Sequence, residues 1–136
     1  MYQSHHLSHK DAQAIIAHIQ NKLEDDHKAA AIAVVDAQGE LLAFLRLDGC
    51  KLPSITIAIN KAFTAARERK ETRTIFENSL ADGFPMTNFG DLRYTNWGGG
   101  VPIMYDSEVI GGVGVSGLPE NEDMVLARMG ASAWAK

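Results

Sequence analysis

Apolar and polar residues alternate in blocks along the chain, and the clearest block is Ala31–Gly49, AIAVVDAQGELLAFLRLDG. Two short apolar runs, Ala31–Val35 and Leu41–Leu47, flank the polar bend Asp36-Ala37-Gln38-Gly39-Glu40. Runs this short, filled with Val, Ile, Leu and Phe, predict strands. The link is too short for a parallel crossover, so the strands form an antiparallel hairpin. Ile32 and Val34 share one face, and Ala31, Ala33 and Val35 share the other. Leu42 and Phe44 alternate in the same way with Leu41, Ala43 and Leu45. Strands apolar on both faces are expected to be covered on both. The hairpin is therefore expected in the middle layer, with helices above and below.

Before the hairpin, Ala12, Ile15, Ile16, Ile19 and Leu23 recur at helical spacing and predict an amphipathic helix. Ser8 is its expected N-cap, with Asp11 at the capping-box distance. After the hairpin, Ser54 is expected to cap a second helix, Ile55 to about Arg69. Ile55, Ile57, Ala58, Ile59, Ala62, Phe63, Ala65 and Ala66 make its first half apolar almost all round. That pattern predicts burial on several sides, by a sheet on one face and a second subunit on the other. Thr72 or Thr74 is expected to cap a short third helix through Asn78. Ser79–Asn96, with Gly83, Pro85, Gly90, Phe84, Phe89 and Tyr94, reads as irregular, and its aromatics predict that it packs or closes over something. A second hairpin, Val101–Tyr105 and Glu108–Ser116, precedes a last helix from about Glu122 to Ala135. Hairpins in place of βαβ units imply an antiparallel sheet with helices on its faces.

Composition narrows the class without changing this layout. With 136 residues, the chain is expected to be a single domain, residues 1–136. A net charge of −4 argues against a general nucleic-acid binder, which needs a basic footprint. One cysteine, Cys50, excludes an internal disulfide and any multi-Cys zinc motif. The longest apolar run is far below the roughly 20 residues of a membrane span. The polar, His-rich start does not resemble a signal peptide. A cytoplasmic protein is the expectation.

Motif by motif, the chemistry is sparse. Gly112-Val113-Gly114-Val115-Ser116-Gly117 fits G-x-G-x-x-G, but its glycines alternate with valines inside a strand, and too little chain follows for a dinucleotide-binding unit. Gly112 and Gly114 instead share one strand face that lets a helix or a ligand approach closely, and Ser116 extends that face. No metal site is expected, because the five histidines offer no helical pair at ligand spacing away from a helix start. A single His could ligate a haem iron, because haem needs only one or two protein ligands. Cys50 lies beside Lys51, a cation that would favour its thiolate. Arg46, near the end of an apolar strand, and Lys61, inside an apolar helix, need partners or a ligand. Asp48 is the expected partner of one of them, and an anion site for a carboxylate is the functional alternative.

Together these residues identify a family. Val34-Val35-Asp36 with Gly39, Arg46-Leu47-Asp48-Gly49, Ser54 with Ala58, Lys61-Ala62 and Thr64-Ala65, Gly99-Gly100-Val101-Pro102-Ile103 and Val109–Gly117 follow in order. In that order and spacing the sequence resembles the GlcG/HbpS-like haem-binding proteins, from the first helix to Ala135. The resemblance implies an α/β (α+β) fold, a profilin-like three-layer α/β/α sandwich around a five-stranded antiparallel sheet. It also implies a homo-oligomer. It implies a small-molecule ligand, with haem or a related tetrapyrrole as cofactor or cargo, and no nucleic-acid or membrane partner. On that reading Arg46, Asp48, Lys61, Thr64, Arg93, Gly99, Gly100, Gly112, Gly114 and Ser116 bind ligand, with Arg93 or Lys61 meeting propionates and His18, Cys50 or Tyr105 as the candidate haem ligand. The sequence departs from the family pattern at Asn121-Glu122-Asp123, in place of Gln-Asp-Glu, and in a longer, more aromatic Ser79–Asn96.

Two other function classes fit the same residues. One is an enzyme acting on a small organic acid or hydroxy compound, although no recognised acid–base pair or catalytic residue stands out. The other is an accessory subunit beside a metabolic enzyme.

Overall fold

The structure is a computed structural model that describes residues 1–134. Helix α1 (His9–Asp25) starts on the expected capping box: the Asp11 amide donates to Ser8 Oγ at 3.1 Å, and the Ser8 amide donates to Asp11 Oδ2 at 3.2 Å. Its buried residues are the five of the apolar stripe. Strands β1 (Ala31–Asp36) and β2 (Leu41–Arg46) pair antiparallel, Ala31 opposite Arg46. Asp36 closes their turn by accepting the Gln38 and Glu40 amides on one carboxylate oxygen.

The rest of the chain is α2 (Ser54–Glu68), α3 (Thr72–Asp82), a short 3-10 turn at Met86–Phe89, β3 (Gly100–Tyr105), β4 (Glu108–Ser116) and α4 (Glu120–Trp134). The end of the last helix expected at Ala135 lies outside the described residues. The sheet has the order β2-β1-β4-β3, all antiparallel. It has four strands where five were expected. Glu108–Ser116 runs as one strand, paired with β1 over Gly111–Ser116 and with β3 over Glu108–Gly114, and leaves no residues for another.

The central position is held by β1 and β4, so only half of the opening hairpin is a middle layer. All of Ala31–Val35 is buried, whereas β2 is the sheet edge and Leu41 is 48% exposed. Ile32 and Val34 pack with α1 and α4, and Ala31, Ala33 and Val35 pack with Ala58, Ala62 and Ala66 of α2. Small residues on both sides of that second layer let α2 lie close on the sheet. A Cβ on Gly112 would come 2.5 Å from the Ala62 carbonyl oxygen, and one on Gly114 would overlap that of Ala58. The glycine alternation of β4 is thus a bed for a helix backbone.

Local capping differs from expectation. Pro53 occupies the N-cap of α2, so Ser54 is its first residue and does not cap it. Glu71 precedes α3, and Thr72 Oγ1 accepts the Gly100 amide at 2.9 Å, tying α3 to β3. The expected irregular stretch splits into the end of α3, the 3-10 turn and a loop. Its aromatics run in sequence onto α2: Phe84 on Phe89, Phe89 stacked on Tyr94 at 4.2 Å, and Tyr94 edge-on to Phe63 at 5.0 Å. That loop covers part of the outer side of α2, the side for which a second subunit was expected.

Candidate functional site

Helix α2 crosses the end of β4 and carries Lys61 into the protein, where it is 3% exposed. The ammonium donates to the Val115 carbonyl at 2.9 Å and to Asp123 Oδ2 at 3.3 Å. Asp123 stands in the first turn of α4, a position that favours an acid. Its Oδ1 accepts the Leu118 amide at 3.1 Å, and the Gly117 amide also holds it. Burial outweighs these donors and pushes the Asp123 carboxyl up to about 6. Burial likewise lowers the Lys61 ammonium, against the pull of Asp123 and Glu120. Each member of the pair is thus shifted toward its neutral form, the mark of charges held at a desolvation cost.

The pair opens onto a cleft of about 520 Å³, within the roughly 300–1,000 Å³ of small-molecule sites. Ser54 and Ser116 also line it, each 5% exposed, with Ile57, Trp97 and Leu118 as apolar wall and Lys51 and Glu120 at the rim. Ser116 follows Val115, whose carbonyl accepts from Lys61, so its side chain lines the cleft next to that bond. Lys61 has three N–H groups, two of which are engaged. Gly99, at φ +121°, leaves room for the ammonium: a Cβ there would lie 2.9 Å from Lys61 Nζ and 2.7 Å from the Val115 oxygen. The cleft therefore gathers a spare lysine N–H, two serine hydroxyls and a carboxylate in a partly dry setting.

Of the sequence candidates, Lys61, Ser116 and Gly99 meet here. Gly100, Gly112 and Gly114 face the backbone of α2. Thr64 is buried elsewhere, donating to the Asn60 carbonyl at 2.8 Å and accepting the Thr95 amide at 2.9 Å, which pins the loop to α2. Arg93 is exposed, forked onto Asp91 and 4.1 Å over the Phe63 ring. Arg46 and Asp48 are exposed at the end of β2, and neither pairs with Lys61, whose carboxylate partner is Asp123. That expected ion pair is corrected for a simple reason: the strand end points to solvent, while the first turn of α4 reaches the buried ammonium.

The three candidate iron ligands do not line the cleft. His18 is exposed on α1. Tyr105 lies at the far end of β3 against the His5 ring, 5.0 Å away. Cys50 is half-buried near Ser54; burial pushes its thiol up in spite of Arg46, so the thiolate expected beside Lys51 is disfavoured. No group of three or more His, Cys, Asp or Glu side chains suited to a metal occurs among the described residues. No helix among them is long and apolar enough to cross a membrane. Sequence reasoning missed Asp123 and Ser54 as site residues. The signal for Asp123 was an acid in the first turn of the last helix, and nothing local joined it to Lys61, 62 positions away.

The haem degrading protein HbpS-like family matches residues 7–132. Protein GlcG of Escherichia coli strain K12 is 39% identical over 110 residues, 81% of each chain. The crystal structure of Klebsiella pneumoniae protein ORFY superimposes with a TM-score of 0.91 at 28% identity, covering 98% of this chain and 94% of that one. That of a double mutant of Streptomyces reticuli HbpS superimposes at 0.88 with 29% identity, covering 98% and 90%. With its sheet, its helices and nearly its whole length matched, this chain belongs to the HbpS-like family.

Proposed function

We propose that the protein binds a small carboxylate-bearing ligand in the cleft over Lys61 and Asp123. The observation that carries this is a buried lysine with one N–H left over after its two hydrogen bonds, lining the same cleft as the Ser116 hydroxyl. Kinship with haem degrading proteins makes haem or a related tetrapyrrole the first ligand to test. The cleft fits part of such a group: Lys51 and Lys61 suit propionates, and Ile57, Trp97 and Leu118 suit an apolar edge. It does not fit the iron, because no His, Cys, Met or Tyr lines it. An iron ligand would have to come from outside the cleft. Haemin titration followed by absorbance tests the assignment. A Soret shift that Lys61→Met weakens supports haem here; an unchanged Soret band in oxidised and reduced protein removes haem.

A second reading, an enzyme acting on a small organic acid, draws on Asp123, a buried carboxyl held near neutrality beside a lysine. The homo-oligomer expected of the family is also proposed for this chain, supported by exposed Leu52, Leu92 and Trp97. Light scattering at two concentrations checks it, and a monomer mass at both rejects it.

A further inference from the structure

The cleft has a definite pattern of unmet hydrogen-bonding capacity. Its donors are the third N–H of Lys61 and the hydroxyl of Ser116, the residue after the Val115 carbonyl that Lys61 binds. Its spare acceptor capacity is on Asp123, which takes Lys61 on Oδ2, Leu118 on Oδ1 and the Gly117 amide, leaving one place on a carboxylate that accepts about four bonds. A plain carboxylate ligand would satisfy the donors but set its charge against Asp123. A ligand that also carries an O–H next to its carboxylate would satisfy both, donating that hydroxyl to Asp123. The apolar wall of Ile57, Trp97 and Leu118 leaves room for a short alkyl group on the same carbon.

We propose that the floor formed by Lys61, Ser116 and Asp123 is a recognition site for a short 2-hydroxy carboxylic acid. Lys61 Nζ and Ser116 Oγ take the carboxylate, and Asp123 takes the hydroxyl proton in a hydrogen bond. This rests on the reading of the cleft as the ligand site and names its occupant as something smaller than a tetrapyrrole. Discrimination follows from chemistry: a site that hydrogen-bonds a substrate hydroxyl rejects analogues lacking it, since a buried polar group is then left unpaired. A 2-oxo acid turns a carbonyl lone pair toward the Asp123 carboxylate and is rejected for the same reason. Protonated Asp123 can donate to that carbonyl, so the discrimination depends on pH. The charged or titratable groups around Asp123 are Lys61 on α2, Cys50 and Lys51 after β2, and Glu120 on its own helix.

Titration calorimetry with lactate, pyruvate and propionate tests this. At pH 8 lactate is expected to bind roughly tenfold or more tighter than the other two. At pH 5 the advantage over pyruvate narrows, while the advantage over propionate remains. Ser116→Ala is expected to weaken lactate several-fold with unchanged circular dichroism, and Lys61→Met to abolish its binding. Ser116→Ala leaves the buried ion pair intact and carries the test by itself, whatever Lys61→Met does to folding. Lactate binding no tighter than propionate, or indifferent to Ser116→Ala, overturns the hydroxy-acid assignment. If all three acids then bind equally and all are lost in Lys61→Met, the carboxylate cleft survives that failure. Absence of binding by all three acids overturns this proposal, and a haemin Soret shift sensitive to Lys61→Met would still support the broader reading.

Discussion

Lys61 and Asp123 hold each other in place at a cost that pH reveals. Folded Asp123 keeps its proton up to about pH 6, whereas an unperturbed carboxyl releases it near 3.8. Between those values the native state binds more protons than the unfolded chain, so this contribution to stability falls as pH rises through the window. Asp91 acts in the opposite sense. Bonds from Arg93 hold it down at about 2, so its contribution is present above 3.8 and fades as pH falls toward 2. Urea midpoints measured from pH 3 to 7 are expected to separate the two: Asp123→Asn removes the descending component and leaves the other. Lys61→Met should be costlier, at about 3–5 kcal/mol, because it strands a buried carboxylate. That cost is expected to be smaller at pH 5 than at pH 8, since Asp123 can then take a proton; chemical denaturation at the two values decides it.

At the scale of elements, two contacts set what the helices do. Helix α1 begins on a reciprocal cap, and Ser8→Ala is expected to cost about 1 kcal/mol, read as a lower thermal midpoint. Helix α2 lies on glycines. Gly114→Ala would drive a methyl group into the Ala58 carbonyl, and neither backbone can yield without lifting the helix from the sheet. Its cost is expected at about 3 kcal/mol, the upper end of overpacking. The ligand cleft should be lost with it, because α2 carries both Ser54 and Lys61 into that cleft. A Gly114→Ala protein that keeps wild-type stability would contradict this account.

Across the whole molecule, stability is graded from the sheet centre outward. Strands β1 and β4 are hydrogen-bonded on both sides and buried, while β2 is a half-exposed edge. Amide hydrogen exchange is expected to be slowest in Ala31–Val35 and Gly111–Val115 and faster in Leu41–Arg46. Much of this layout was legible beforehand. The stripe on α1, the cap at Ser8, the two hairpins and the buried strand Ala31–Val35 all depend on neighbours close in sequence, where periodicity and turn chemistry act. The strand count was not legible, because whether Glu108–Ser116 stays one strand depends on partners on both sides. The expected pairing of Asp48 with Arg46 or Lys61 failed for a related reason: proximity along the chain is a poor guide to where a strand end points.

Residue pattern alone determined the element types, the glycine face of β4 and the presence of a cation inside an apolar helix. Those are local matters of spacing, backbone freedom and charge. Tertiary structure decided which carboxylate meets that cation, which glycines serve a helix and which an ammonium, and which hydroxyls share the cleft. Those outcomes depend on bringing α2, the end of β4 and the first turn of α4 to one place, and no local rule links residues so far apart in the chain.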